Sequence, residues 1–224
     1  MAERCFIVAI DGPSGAGKST VARHVAKSLG YHFLDSGALY RALALAALRA
    51  GVGPEDKAGL AGVLGRLRIE LGEAGSVLLD GREVAHEIRT ESVSQAASKL
   101  SSLPEVRAAL IGLQRSAARS PGTVAEGRDM GTVVFPDAQL KVFLDADPAE
   151  RATRRALELR ARDPAVDVEE VKAEMVERDR RDRTRAVAPL RAAGDAVVVD
   201  STALTIDEVV DRIVAEATRR ASTD

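Results

Sequence analysis

The apolar residues from Cys5 to Ile10 form a continuous run of strand length, and from Ser19 to Leu29 they recur at helical spacing. The same alternation of patterns continues along the chain. Tyr31 to Leu34 reads as a short strand, and about Ala38 to Ala50 as a helix with Leu39, Leu43, Ala46 and Ala50 on one face and Gly51 closing it. Between Gly62 and Glu87 the rhythm changes. Leu67 to Leu71 alternates apolar and polar, Gly72 to Ser76 has turn chemistry, and Val77 to Asp80 precedes a second glycine, so the spacing predicts an inserted hairpin with a short third strand near Arg82 to Val84. Helices are predicted over Glu91 to Ser101 and Pro104 to Ala118, the second with proline at its first position. Strands follow at Gly122 to Glu126, Leu140 to Leu144 and Ala196 to Val199. A last amphipathic helix, about Thr205 to Ala221, places Ile206, Val209, Val210, Ile213 and Val214 towards a sheet. Five strands interleaved with helices predict a parallel sheet, because parallel neighbours need crossover connections.

Composition narrows the class. A chain of 224 residues with 46% hydrophobic content is expected to form a single α/β domain over residues 1–224 with a modest insertion. Thirty-two basic and 34 acidic residues give a net charge of −2, which provides no global field for nucleic acid or an anionic membrane, and six aromatic residues are too sparse for a base-stacking platform. The single cysteine, Cys5, falls in the first predicted strand and reads as an apolar residue in a reducing compartment. No apolar stretch approaches 18 residues. A soluble, cytoplasmic, monomeric protein is expected.

The chemistry is concentrated in Gly12 to Thr20, reading GPSGAGKST, which lies between the first strand and the first helix. This is the order a phosphate-binding loop requires. Gly12, Gly15 and Gly17 let successive N–H groups converge on one phosphate, with Pro13, Ser14 and Ala16 completing the loop, and the new helix adds its positive end. Lys18 would reach the β- and γ-phosphates of a nucleoside triphosphate, and the Ser19 hydroxyl would sit on a magnesium ion, a role Thr20 could share. The Asn-Lys-x-Asp sequence with which a GTPase reads its base is absent. Asp145 and Asp200 end apolar strands as a magnesium-holding aspartate would. The three histidines, His24, His32 and His86, have no metal-ligand spacing. Between Glu150 and Arg185 lie ten arginines, one lysine and ten acidic residues, a composition typical of solvated, ion-paired helices. Within it, Arg178, Asp182 and Arg185 share one helical stripe, and Arg151, Arg154 and Arg155 cluster at the start of the preceding helix. Both clusters are candidates for gripping phosphates with forked contacts.

Four segments carry a resemblance to bacterial cytidylate kinases, nucleoside monophosphate kinases that move the ATP γ-phosphate to CMP or dCMP. They are IDGPSGAGKST at Ile10 to Thr20, LDSGALYR at Leu34 to Arg41, EGRDMGTVVFPDA at Glu126 to Ala138 and RDRRDRTRAVAPL at Arg178 to Leu190. The resemblance implies the P-loop nucleoside monophosphate kinase fold: a five-stranded parallel sheet flanked by helices, a monophosphate-binding region near residues 38–118 that includes the hairpin insertion near 62–87, and a short helical lid near 150–167. It implies ATP and Mg2+ as phosphate donor and metal, and it implies that Ser36, Arg107 and Asp129 read the cytosine with Ser98 nearby. By the same likeness Arg178 and Asp182 hold the ribose, Arg41, Arg128 and Arg185 hold the acceptor phosphate, and Arg154 and Arg155 close over the triphosphate. Lys18, Arg128, Arg185, Arg154 and Arg155 then form the catalytic set. A P-loop kinase of another monophosphate or small metabolite, and a non-catalytic nucleotide-binding regulator, remain as alternatives at this point.

Overall fold

A computed structural model describes residues 5–72, 75–161 and 164–222. Strand β1 (Phe6–Asp11) is buried along its whole length, as its unbroken apolar run requires. The chain then passes through α1 (Lys18–Leu29), β2 (His32–Asp35), α2 (Ser36–Arg49), α3 (Lys57–Arg66), β3 (Ile69–Leu71), β4 (Val77–Leu79), β5 (Arg82–Glu83), α4 (Glu91–Leu100) and α5 (Pro104–Ser116). After these come β6 (Gly122–Gly127), β7 (Leu140–Asp145), α6 (Pro148–Arg160), α7 (Val168–Thr184), β8 (Val197–Asp200) and α8 (Ile206–Ala221). Among the described residues the main sheet has five strands in the order β2-β6-β1-β7-β8. Strand β1 pairs in parallel with β6 and β7, and β7 with β8, so the expected parallel sheet flanked by helices is the one observed. Asp11 stands opposite Gly127, and Asp145 opposite Asp200. The carboxyl ends of these strands therefore lie level, which is where an open α/β sheet collects ligands.

The chain divides into two compact units, residues 1–32 with 118–224, and residues 33–117. The first holds the strands around β1, with α1 and α8 packed together and α6 against α7. Helix α8 begins with a reciprocal cap between Thr205 and Glu208, matching the predicted start of the final helix. The second unit has its own core, in which Leu43, Leu60, Leu79, Ile88 and Leu110 are fully buried, and a small antiparallel sheet β3-β4-β5. The hairpin strands occur as predicted, while Glu73 and Ala74 of its turn lie outside the described residues, as do Arg162 and Asp163 within the expected lid.

Three elements differ from the reading of the sequence. Helix α2 begins at Ser36, two residues early, because the Asp35 carboxylate accepts from the Ala38 N–H at 2.8 Å and caps it. Helix α3 covers Gly59, Gly62 and Gly65, a stretch for which no helix was predicted and whose end overlaps the Gly62 to Glu87 region read as a hairpin insertion. The Asp56 cap on the Gly59 N–H and burial of Leu60 and Val63 outweigh the poor helix propensity. After β6, Met130–Val134 forms a π-helical turn that periodicity did not suggest.

Candidate active site

The loop from Gly12 to Gly17 depends on glycine at particular points. Gly15 and Gly17 have φ values of 76° and 84°, in the left-handed region, and Gly17 caps α1. A Cβ at Gly12 would collide with the Leu144 carbonyl on β7, and one at Gly15 would lie 2.6 Å from the Arg151 carbonyl and 3.0 Å from the Met175 methyl. The loop is thus pressed between β7 and the helices α6 and α7. Lys18 opens α1, is buried, and donates to the Pro13 carbonyl at 2.6 Å. Burial, followed by the charges of Arg128 and Arg178, pulls its ammonium well below the usual lysine range against the opposing pull of Glu126 and Asp11. Ser19 donates to Glu126 Oε1 at 2.6 Å, which puts a carboxylate from the end of β6 beside the loop hydroxyl.

Charged groups from β6 and α7 gather around this lysine. Arg128 donates through Nε to Asp182 Oδ2 at 3.0 Å, both side chains being largely buried. Burial pushes the Asp182 carboxyl up, but the charges of Arg128, Arg178 and Arg185 outweigh it and hold the group below the usual carboxylate range. Arg185, at the end of α7, donates to the Ala188 carbonyl at 2.6 Å and lies 3.8 Å from Asp129 Oδ1, the two side chains 5% and 4% exposed. The spacing that put Arg178, Asp182 and Arg185 on one stripe therefore corresponds to a real cluster with Arg128. At the end of β1, Asp11 accepts from the Met130 and Gly131 N–H groups at 2.7 and 2.8 Å. Burial pushes its carboxyl up to about 6 against those two donors.

The second unit carries the other predicted residues. Arg41 donates to Asp35 Oδ2 at 3.0 Å, and a Cβ at Gly37 would meet this guanidinium at 2.8 Å, so the glycine of the Asp-Ser-Gly segment makes room for the arginine. Ser36 is buried at the start of α2. Arg107 is buried with its guanidinium 5.8 Å from the centre of the Tyr40 ring and donates to the Ser101 carbonyl at 3.2 Å. Ser98, one turn earlier on α4, has a buried hydroxyl with no hydrogen-bond partner among the described residues. A buried polar atom of this kind fits a site that is completed by ligand or water.

Arg154 and Arg155 point to other work in this structure. Arg154 donates to Glu150, to the Ser201 carbonyl at 2.9 Å and to the Thr202 carbonyl at 3.4 Å, which ties α6 to the end of β8. Arg155 pairs with Glu158 at 3.0 Å. Asp145 and Asp200 are engaged as well, the first by the Ala146 N–H with Arg151 and Arg183 nearby, the second by Thr202. Glu126 and Asp11 escaped the sequence reading, which singled out Asp145 and Asp200 as the acids ending apolar strands, and Arg151 was read there only as one of three phosphate-gripping candidates. Arg151 shared its helix and charge with Arg154 and Arg155, yet it alone is buried, donating to the carbonyls of Ala146 at 3.0 Å and Ser14 at 3.1 Å and to Asp179 at 2.6 Å.

A strand, glycine loop and helix on a parallel sheet, with a buried loop lysine facing arginines from a neighbouring helix, define a P-loop phosphotransferase. The model of the cytidylate kinase family matches residues 8–219. Cytidylate kinase from Aeromonas salmonicida (strain A449) is 50% identical over 220 residues, 97% of this chain and 96% of that protein. Cytidylate kinase from Proteus mirabilis (strain HI4320) is 50% identical over 214 residues, 94% and 95% of the two chains. A solved structure of an uncharacterized protein from Eubacterium ventriosum ATCC 27560 shares the fold at a TM-score of 0.51 and 13% identity, over 95% of this chain and 98% of that one. The chain belongs to the cytidylate kinase family. No helix among the described residues is long and apolar enough to cross a membrane.

Proposed function

We propose that this protein transfers the γ-phosphoryl group of ATP in line to CMP and dCMP, giving ADP with CDP or dCDP, and that it does so as a monomer. The observation that carries the reading is the buried Asp129 carboxylate beside Arg128 and Arg185, on the loop that follows a strand adjacent to β1 and its phosphate-binding turn. A carboxylate accepts from the exocyclic amine of cytosine, whereas uracil presents a carbonyl there and would leave two acceptors facing each other. Ser36, Ser98 and Arg107 complete base recognition in this reading, and Arg178 and Asp182 hold the ribose. Arg41, Arg128 and Arg185 bind the acceptor phosphate.

Phosphoryl transfer needs alignment and charge stabilisation more than covalent participation by the protein. Gly12, Pro13, Ser14, Gly15, Ala16 and Gly17 cradle the donor phosphates through the backbone. Lys18 follows charge onto the β–γ bridging oxygen, and its lowered affinity for a proton when buried is reversed once phosphates lie against it. Ser19 and Glu126 would hold a magnesium ion, since they offer the hard hydroxyl and carboxylate oxygens that it prefers. When bound, the ion would neutralise donor phosphate charge. Arg154 and Arg155 join the triphosphate only if their present partners release them.

The test is ADP release with a panel of nucleoside monophosphates at fixed ATP. CMP and dCMP should be the preferred acceptors, and loss of that preference in Asp129→Ala should accompany retained ATP affinity. Equal turnover of CMP, UMP and AMP by the unmodified protein would refute the assignment of the base site.

A further inference from the structure

The two bonds from Asp11 connect parts of the site that have different tasks. Asp11 ends β1, and the next residue is the first glycine of the phosphate-binding loop. Its carboxylate is buried, and both oxygens are taken, Oδ1 by the Met130 N–H at 2.7 Å and Oδ2 by the Gly131 N–H at 2.8 Å. These are the two amides immediately after Asp129, at the open end of the π-helical turn, where N–H groups have no partner within the turn itself. The Asp129 carbonyl is held from the other side, accepting from the Val133 and Val134 N–H groups at 2.9 and 3.1 Å. The backbone of Asp129 is therefore clamped downstream by Asp11 and by its own turn, with φ and ψ of −150° and 27°. Each carboxylate oxygen accepts one of the two amides, so the group is held at both ends by the turn.

We infer that Asp11 is a positioning residue for acceptor-base selection: it aims the Asp129 carboxylate by clamping the two amides that follow it, and fixes that aim to the strand from which the phosphate loop springs. The inference rests on the reading of Asp129 as the group that meets the cytosine amine. Asparagine is the informative replacement, since it preserves size but offers one acceptor oxygen and one NH2. The NH2 would face an amide N–H, so one of the two bonds must open and the turn must shift.

The experiment compares kcat/KM for CMP and UMP in the unmodified protein, Asp11→Asn and Asp129→Ala, together with the KM for ATP. Asp11→Asn should lower the CMP-to-UMP ratio roughly tenfold, the loss expected for an unmatched buried hydrogen bond, with KM for ATP changed much less. A general loosening of β1 would depress both acceptors alike and leave the ratio intact, and that result overturns the inference. If Asp129→Ala also leaves the ratio unchanged, the base-site reading itself has failed; if Asp129→Ala collapses it and Asp11→Asn does not, only the role of Asp11 has. Hydrogen exchange on the unmodified, ligand-free protein applies the same question without a variant that could fail to fold. The Met130 and Gly131 amides should exchange as slowly as those within β1, whereas loop-like exchange before CMP is added would show that no clamp is set in advance.

Discussion

Replacing Arg151 by methionine tests how the phosphate loop is braced. The guanidinium joins three places: the Ser14 carbonyl in the loop, the Ala146 carbonyl after β7, and Asp179 on α7. Methionine retains an unbranched stem but removes the charge and every donor. Breaking a buried ion pair from one side costs about 3–5 kcal/mol, since the partner is left uncompensated. The Arg151 side chain is 5% exposed and that of Asp179 is 15%, so water can partly recover the lone carboxylate and the lower end applies, about 3 kcal/mol. For a chain of this length each kcal/mol shifts the melting temperature by about 2–4 °C, so Arg151→Met should melt roughly 6–12 °C below the unmodified protein. Thermal unfolding followed by circular dichroism measures this. The double variant with Asp179→Asn should regain part of the loss, with a coupling of about 1–3 kcal/mol, because the stranded charge is gone. A shift within 2 °C, or strictly additive single effects, would refute the brace and return Arg151 to the solvated, ion-paired surface suggested by its composition.

Lys18→Met should abolish most turnover while leaving the fold intact. Because burial lowers the folded pKa of Lys18 from its ordinary 10.5 to about 7, the unfolded chain holds the proton more tightly between those values; the unmodified, ligand-free protein should gain stability as pH rises through that window, and denaturant titrations of the methionine variant should lack this gain. Asp129→Ala should weaken CMP use by about 1–3 kcal/mol with much less effect on ATP, measured as kcat/KM for each nucleotide, and equal losses would mean that Asp129 serves the fold or the phosphates. Arg154→Ala separates two roles: if its bonds to Ser201 and Thr202 persist through the cycle, it should lower the melting temperature by a few degrees and spare kcat, whereas a large kcat loss with unchanged melting would place it on the triphosphate.

The parts of the fold and site that could be read from sequence are those whose physics is local. The β1 run is continuous because both faces are buried, and Gly15 and Gly17 are glycines because their φ values demand it. What escaped depends on partners far away in the chain. Helix α3 carries three glycines and exists because Leu60 and Val63 are buried, a tertiary gain no propensity reveals. The turn at Met130–Val134 is capped by Asp11, more than a hundred residues earlier. Arg151, Arg154 and Arg155 occupy neighbouring positions of one charged helix, and spacing cannot say that the first meets the loop, the second the end of β8 and the third its own helix.

The acids around Lys18 bear on how the acceptor is activated. Asp182 could serve as a base only if it took up protons near neutrality, but three arginines hold its carboxyl below the ordinary range, so at neutral pH it remains an acceptor of hydrogen bonds. Asp11 has a carboxyl raised to about 6, closer to a useful value, yet both its oxygens already accept from amides. A base is also unnecessary for this acceptor. The second ionisation of a phosphate monoester lies near pH ~6, so the attacking oxygen of a nucleoside monophosphate carries its charge before transfer begins. The obstacle is then repulsion between two polyanions, and the remedy is fixed positive charge. In the proposed site Arg128 and Arg185 would supply it from within the ion pairs they form with Asp182 and Asp129 respectively. Raising ionic strength should therefore raise KM for the nucleotides more than it lowers the melting temperature, because exposed approach is screened while buried pairs are not.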